Sequence, residues 1–216
     1  MHMHIKALLK VSSRYAPSRV LSFDLVHVFK ALQLIEGNGH VSRASLCSDL
    51  ALGEGVVKTL IKHLKMEGLI TTSNRGTQMT PKGRAISSEL LSCIPEETTI
   101  PNCSIALGKF NHAVLLRDLG YSVRSGIEQR DAAIKVGAIG ATTLIFKDDK
   151  FVMPGTSHNP LKKEPEIYSM LLEKLKPQAG DVVIIGSADT GKRIAELAAK
   201  NAALMTVMAH EKHDYR

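Results

Sequence analysis

The sequence predicts two domains: a small helical domain closed by a β-hairpin over residues 22–94, and a mixed α/β domain over residues 102–216. Three observations predict this. Helical periodicity, glycine stops and a hairpin signal follow one another in the first half. Residues 95–101, bounded by Pro95 and Pro101 and holding Glu96, Glu97 and two threonines, read as a linker. Beyond them, short apolar and β-branched runs alternate with amphipathic ones. A chain of 216 residues has room for two ordinary domains.

Residues 1–21 are basic and weakly patterned, with Pro17 as a breaker, and predict a flexible arm or a short helix. Phe23, Val26, Val28, Phe29, Leu32 and Ile35 lie at helical spacing, and Gly37-Asn38-Gly39 ends that helix. Ser42 is placed to cap a second, short helix reaching Asp49 or Leu50. Leu52-Gly53 makes the turn into a third helix over residues 54–66, which Gly68 stops. Two extended pieces, residues 69–73 and 77–80, are joined by the hairpin signal Asn74-Arg75-Gly76. Thr80-Pro81 opens a further helix that ends near Ile94-Pro95. The order is that of a winged helix-turn-helix.

In the second half, residues 114–117 and 141–146 read as strands on either side of a helix over residues 126–136. Asp148-Asp149 turns into residues 151–153, which end at Pro154-Gly155. An amphipathic helix over 164–175 precedes the fully apolar strand 181–185. A helix over 189–201 and a last strand over 204–208 complete the pattern. The expected fold class is thus an N-terminal winged helix-turn-helix followed by a mixed α/β C-terminal domain.

The third helix carries the chemistry of the first half. Val57, Leu60, Ile61 and Leu64 recur at helical spacing and predict the core face, leaving Gly55, Lys58, Thr59, Lys62 and His63 opposite. Such a helix fits the major groove of double-stranded DNA. Its lysines would neutralise phosphates and release counterions, and Lys58 and Thr59 would reach base edges. Asn74 and Arg75 at the hairpin tip, with Thr77 beside them, would form the wing; Arg43 and Ser45 would make backbone contacts. Charge supports this placement: residues 43–84 carry seven Lys/Arg against three acids, whereas residues 101–216 carry sixteen against thirteen. The string LKMEGLITTSNRGTQMTPKG, residues 64–83, resembles the end of the recognition helix and the wing of many bacterial and archaeal winged-helix regulators. The shared steps are Leu64, Gly68, Leu69 and Ile70, then Thr80-Pro81-Lys82-Gly83.

In the second half the strongest motif is Gly186-Ser187-Ala188-Asp189-Thr190-Gly191-Lys192, which follows an apolar strand and fits the GxxxxGK phosphate loop. Arg193 stands where such a loop needs a Mg²⁺-binding Ser or Thr, so a working ATPase is not expected. Two readings remain: a small anionic effector held by Gly186, Ser187, Asp189, Thr190, Gly191 and Lys192, or a tight strand-to-helix turn with Asp189 as N-cap. Gly137, Gly140 and Thr142 would line a pocket or allow close packing, and His158 is expected in an exposed loop. With residues 130–154 carrying the likeness in this half, the chain resembles an archaeal family of winged-helix transcriptional regulators whose C-terminal α/β domain has no assigned function. That resemblance implies a regulator with a sensing or dimerising domain and transfers no catalytic residues.

The remaining expectations are mostly exclusions. No apolar run is long enough to span a bilayer and the N-terminus lacks a signal-peptide pattern, so a cytoplasmic protein is expected. Cys47, Cys93 and Cys103 form no CxxC pair and read as buried free thiols, with no metal and no cofactor. A homodimer on double-stranded DNA is expected, because half-sites mirror a two-fold protein. The alternative is an enzyme acting on a nucleotide or phosphometabolite, with the winged helix appended.

Overall fold

The computed structural model describes residues 3–13, 21–106 and 108–213, and the chain divides into two compact units, Met1–Leu90 and Leu91–Arg216.

The first unit contains α1 (Met3–Val11), α2 (Leu25–Asn38), α3 (Arg43–Leu50), α4 (Glu54–Met66), the antiparallel hairpin β1 (Ile70–Ser73) and β2 (Gly76–Met79), and α5 (Pro81–Cys93). Its core is aliphatic: Ile5, Leu8, Val26, Leu32, Ile35, Leu46, Leu50, Leu60, Leu64 and Leu69 are fully buried. Ser42 caps α3 by accepting the Ser45 amide at 3.0 Å. The Thr80-Pro-x-Gly motif has a clear cause. The Thr80 hydroxyl accepts the Gly83 amide at 3.0 Å and donates to the Gly68 carbonyl at 2.7 Å, tying the start of α5 to the end of α4. A Cβ at Gly83 would lie 2.0 Å from the Leu69 carbonyl oxygen, so only glycine lets α5 sit that close to the strand.

The N-terminal segment is the short helix, not the flexible arm, over its described part. Ile5, Leu8 and Val11 are spaced on one face and are completely buried, while Lys6 and Lys10 stay exposed and mask the pattern. Residues 14–20 of the expected arm lie outside the described residues.

The second unit is built on β3 (Glu97–Ile100), β4 (Phe110–Leu116), β5 (Gly140–Lys147), β6 (Lys150–Val152) and β7 (Val182–Ala188), in the order β3-β4-β7-β5-β6. Every neighbouring pair is antiparallel. Helix α7 (Pro165–Leu175) covers one face through Ile167, Leu171 and Leu175, which meet Leu115, Leu144, Val183 and Ile185. Helices α6 (Ile127–Lys135) and α8 (Lys192–His213) cover the other, where Ala133 and Ala198 pack together and Gly186 lies under Ala195, Ala198 and Ala199.

Three expectations fail here. Residues 97–100 of the expected linker form β3, paired with β4 from Glu97↔Val114 to Ile100↔Asn111. The run Thr98-Thr99-Ile100 is β-branched, and the flanking Pro95 and Pro101 suit an edge strand. The expected last strand, 204–208, is interior to α8. Ala195, Ala198, Ala199, Ala202, Ala203 and Val207 are buried at helical spacing, so the helix runs straight through. The three cysteines are thiols outside any disulfide, and they are half-buried, not buried.

Beside β3 lies a charged cluster. Lys200 of α8 is 2% exposed, with its Nζ 2.9 Å from Glu97 Oε2 and 2.6 Å from Glu196 Oε1. His112 Nε2 is 3.3 Å from the same Glu97 oxygen. Partial burial works to raise the Glu97 carboxyl, but the hydrogen bonds and charges of His112 and Lys200 outweigh it and hold it down at about 2.

Candidate nucleic-acid interface

The sequence VVKTLIKHLK winds α4 so that Val57, Leu60 and Leu64 are fully buried while Gly55, Lys58 and Lys62 are exposed. Ile61 is only half-buried, at the margin of the two faces. The hairpin stands beside this helix, and Asn74 and Arg75 are its two turn residues, since Ser73 pairs with Gly76. Gly76 has φ of +118°, and a Cβ there would meet the Val41 carbonyl oxygen at 2.8 Å. Between helix and hairpin runs an open groove of about 1170 Å³. Lys58, Thr59, Lys62 and Lys65 line one wall, Ser73, Asn74 and Arg75 the other, and Ser42 and Arg43 also border it.

Among the described residues, Lys58, Lys62 and Arg75 form no ion pair, so their charge faces solvent. Lys65 Nζ donates to Thr72 Oγ1 at 3.1 Å, bridging helix and hairpin. Lys65 was not among the expected contacts, although it follows Lys58 and Lys62 at i+7 and i+3 on the same face. Arg43 pairs with Glu54 at 3.1 Å, with 53% and 75% of the two side chains exposed. Such an exposed pair is weak, and a phosphate can compete for the guanidinium. Thr59 donates its hydroxyl to the Gly55 carbonyl at 3.0 Å, leaving its oxygen as an acceptor toward the groove. Ser45 is exposed, but its amide and hydroxyl are both engaged by Ser42 at the start of α3.

Two expected contact residues face inward instead. His63 is 6% exposed, its Nδ1 lies 2.8 Å from the Val11 carbonyl oxygen, and its ring meets Phe23 edge-on at 5.6 Å. The cause is α1, which packs on α4 and widens the buried stripe beyond Leu60 and Leu64. Thr77 is 3% exposed, because β2 alternates inward at Thr77 and Met79, and its backbone exchanges hydrogen bonds of 2.9 and 2.8 Å with Val41.

In the second unit the Gly186–Lys192 motif divides between strand and turn. Gly186, Ser187 and Ala188 belong to the central strand β7, paired with β4 on one side, and Gly186 and Ser187 with β5 on the other. A Cβ at Gly186 would lie 2.4 Å from the Ala195 carbonyl oxygen, so this glycine serves helix-on-sheet contact. Ser187 is completely buried. Only Asp189, Thr190 and Gly191 form the turn into α8, and Asp189 Oδ1 accepts the Lys109 amide at 3.0 Å. Lys192 is the exposed first residue of α8. Asp189 thus binds Lys109 and makes no cap to the helix among the hydrogen bonds described. His158 sits in an exposed loop, as expected, and Thr142 Oγ1 donates to the Ile105 carbonyl at 2.7 Å.

Among the described residues no His, Cys, Asp or Glu cluster has the makings of a metal site. No described helix is long and apolar enough to cross a membrane.

Comparison with known proteins agrees with this division. Residues 25–94 match the CggR N-terminal DNA binding domain. Residues 107–207 match a domain of unknown function, DUF4443. No curated protein matches the chain. Among solved structures, a hypothetical protein from Pyrococcus horikoshii OT3 is similar at 25% identity and a TM-score of 0.67, over 90% of this chain and 96% of that one. The chain therefore joins a segment similar to the CggR N-terminal DNA binding domain to one that matches DUF4443.

Proposed function

We propose that this protein is a homodimeric transcriptional regulator that lays α4 in the major groove of double-stranded DNA and sets its hairpin against the adjoining backbone. One observation carries the reading: the groove between α4 and the hairpin is bordered by Lys58, Lys62, Lys65 and Arg75 in a domain that matches a DNA-binding family. Lys58 and Lys62 project on the face opposite the core, where a phosphate or a guanine edge would meet them. Arg75 at the hairpin turn reaches the neighbouring phosphates or minor groove, and Arg43 and Ser45 lie at the start of α3, facing the backbone. The second unit supplies self-association and sensing. The enzyme alternative rested on the Gly186–Lys192 motif, half of which is buried strand.

Selection of genomic DNA fragments on the purified full chain tests the reading. Discrete sites with two-fold symmetry, their half-sites about 10 base pairs apart or a multiple of that, are the expected result. Equal retention of all fragments regardless of sequence would replace the regulator with a non-specific DNA-coating protein.

A further inference from the structure

We propose that α6 is the self-association face of the second unit, packing antiparallel against α6 of a second copy of this chain. The proposal rests on the dimer reading above and says which surface makes the dimer.

The first observation is where exposed apolar side chains lie. In the second unit the large hydrophobics left exposed among the described residues are Tyr121, Ile127, Ile134, Ile139 and Met205. All five belong to the layer of α6 and α8 or to the segments flanking α6; none lies on α7, which covers the opposite face of the sheet. Ile127 and Ile134 are 52% and 47% exposed, and their spacing of seven places them on one ridge, directly opposite Gln129, Ala132 and Ala133, the buried face of α6. A helix has no internal need for two isoleucines on its solvent ridge, and clustered exposed apolar surface marks an interaction site.

The second observation is charge. Along that ridge and its flanks run Glu128, Arg130, Asp131 and Lys135, acidic at the start and basic at the end. A two-fold axis near position 131 sets Ile127 against the second copy's Ile134, and Glu128 against its Lys135. Asp131 then meets its own symmetry mate, a repulsion that each chain already answers, because Arg130 Nη2 lies 3.1 Å from Asp131 Oδ1. The pattern is complementary to itself only when reversed, which is what an isologous contact requires.

The test measures the mass of the full chain in solution without DNA, by light scattering across a concentration series. Wild type is expected as a dimer. Ile127→Asp/Ile134→Asp should weaken association more than tenfold with an unchanged far-ultraviolet circular dichroism spectrum, since both positions are exposed in the single chain. Glu128→Lys and Lys135→Glu should each weaken self-association severalfold by placing like charges together, and an equimolar mixture of these two variants should recover a one-to-one heterodimer. A monomeric wild type, a double-Asp variant that stays dimeric, or a mixture that associates no better than its components would overturn the proposal. If sequence-selective DNA binding persists in that event, the regulator reading stands: a dimeric wild type loses only this face, and a monomeric one loses the dimer with it. A wild-type dimer that dissociates in the double-Asp variant but ignores DNA sequence would keep the face and remove the regulator reading.

Discussion

The first unit's Lys58 and Lys62 and the second unit's Lys200 are lysines of amphipathic helices put to opposite uses. Lys58 and Lys62 stand on the exposed face of α4, and among the described residues they form no ion pair. Lys200 is 2% exposed on α8 and is held between Glu97 and Glu196. A solvated, unpaired lysine keeps its charge available to a polyanion, whereas a desolvated one is already committed to its partners. The glycines divide in the same way. Gly68 turns the chain out of α4 with φ of +68° and nothing near it, while Gly186 lies in a strand directly beneath α8.

The difference has measurable consequences. Lys200→Ala should cost the most stability, about 3 kcal/mol, because it takes from the partly buried Glu97 and Glu196 the ammonium they share. Chemical denaturation measures it, and a loss under about 0.5 kcal/mol would make Lys200 no more than a surface lysine. Gly186→Ala should follow at about 2 kcal/mol, since its new Cβ has no space under Ala195 and Ala199. Lys192→Ala should leave the melting temperature unchanged, and phosphate should shift the variant and wild type equally. A phosphate-dependent shift lost in Lys192→Ala would restore an anion site at the β7–α8 turn. Smaller than the two stability losses is a pH dependence. Glu97 titrates at about 2 in the fold against an ordinary value of 4.5. Its contribution is complete above pH 4.5 and is lost as the pH falls toward 2, because the unfolded chain takes up the proton first. A third of the side chain is exposed, so screening keeps the effect modest. Melting curves of wild type and Glu97→Gln should converge across that window, and a constant gap would remove the linkage.

Most of the fold was legible because its signals are local. Ser42, Gly68, Asn74-Arg75 and Thr80-Pro81 mark ends and turns through their own backbone preferences, and the helices and hairpin of the first unit fall where those residues place them. What escaped depends on distant partners. Glu97 and its neighbours look like linker until β4 pairs with them and Lys200 meets the carboxylate. Residues 204–208 look like a strand until the alanines before them are seen packed on the sheet. His63 looks like a contact residue until α1 closes over it, and α1 itself was hidden by its lysines. The Gly186–Lys192 motif was ambiguous for the same reason: a glycine required by helix-on-sheet packing has the same letter as one required by a phosphate.

The most direct test of the account is the salt dependence of affinity for a selected duplex, read by fluorescence anisotropy, for wild type and Lys58→Ala/Lys62→Ala/Arg75→Ala. The account predicts a steep decline with salt for wild type. The variant should bind at least about tenfold more weakly and lose roughly three units per protomer, about six for the dimer, from the log–log slope, about one for each phosphate contact removed, with an unchanged melting temperature. A folded variant with wild-type affinity and slope would contradict it and move the DNA-binding surface away from α4 and the hairpin.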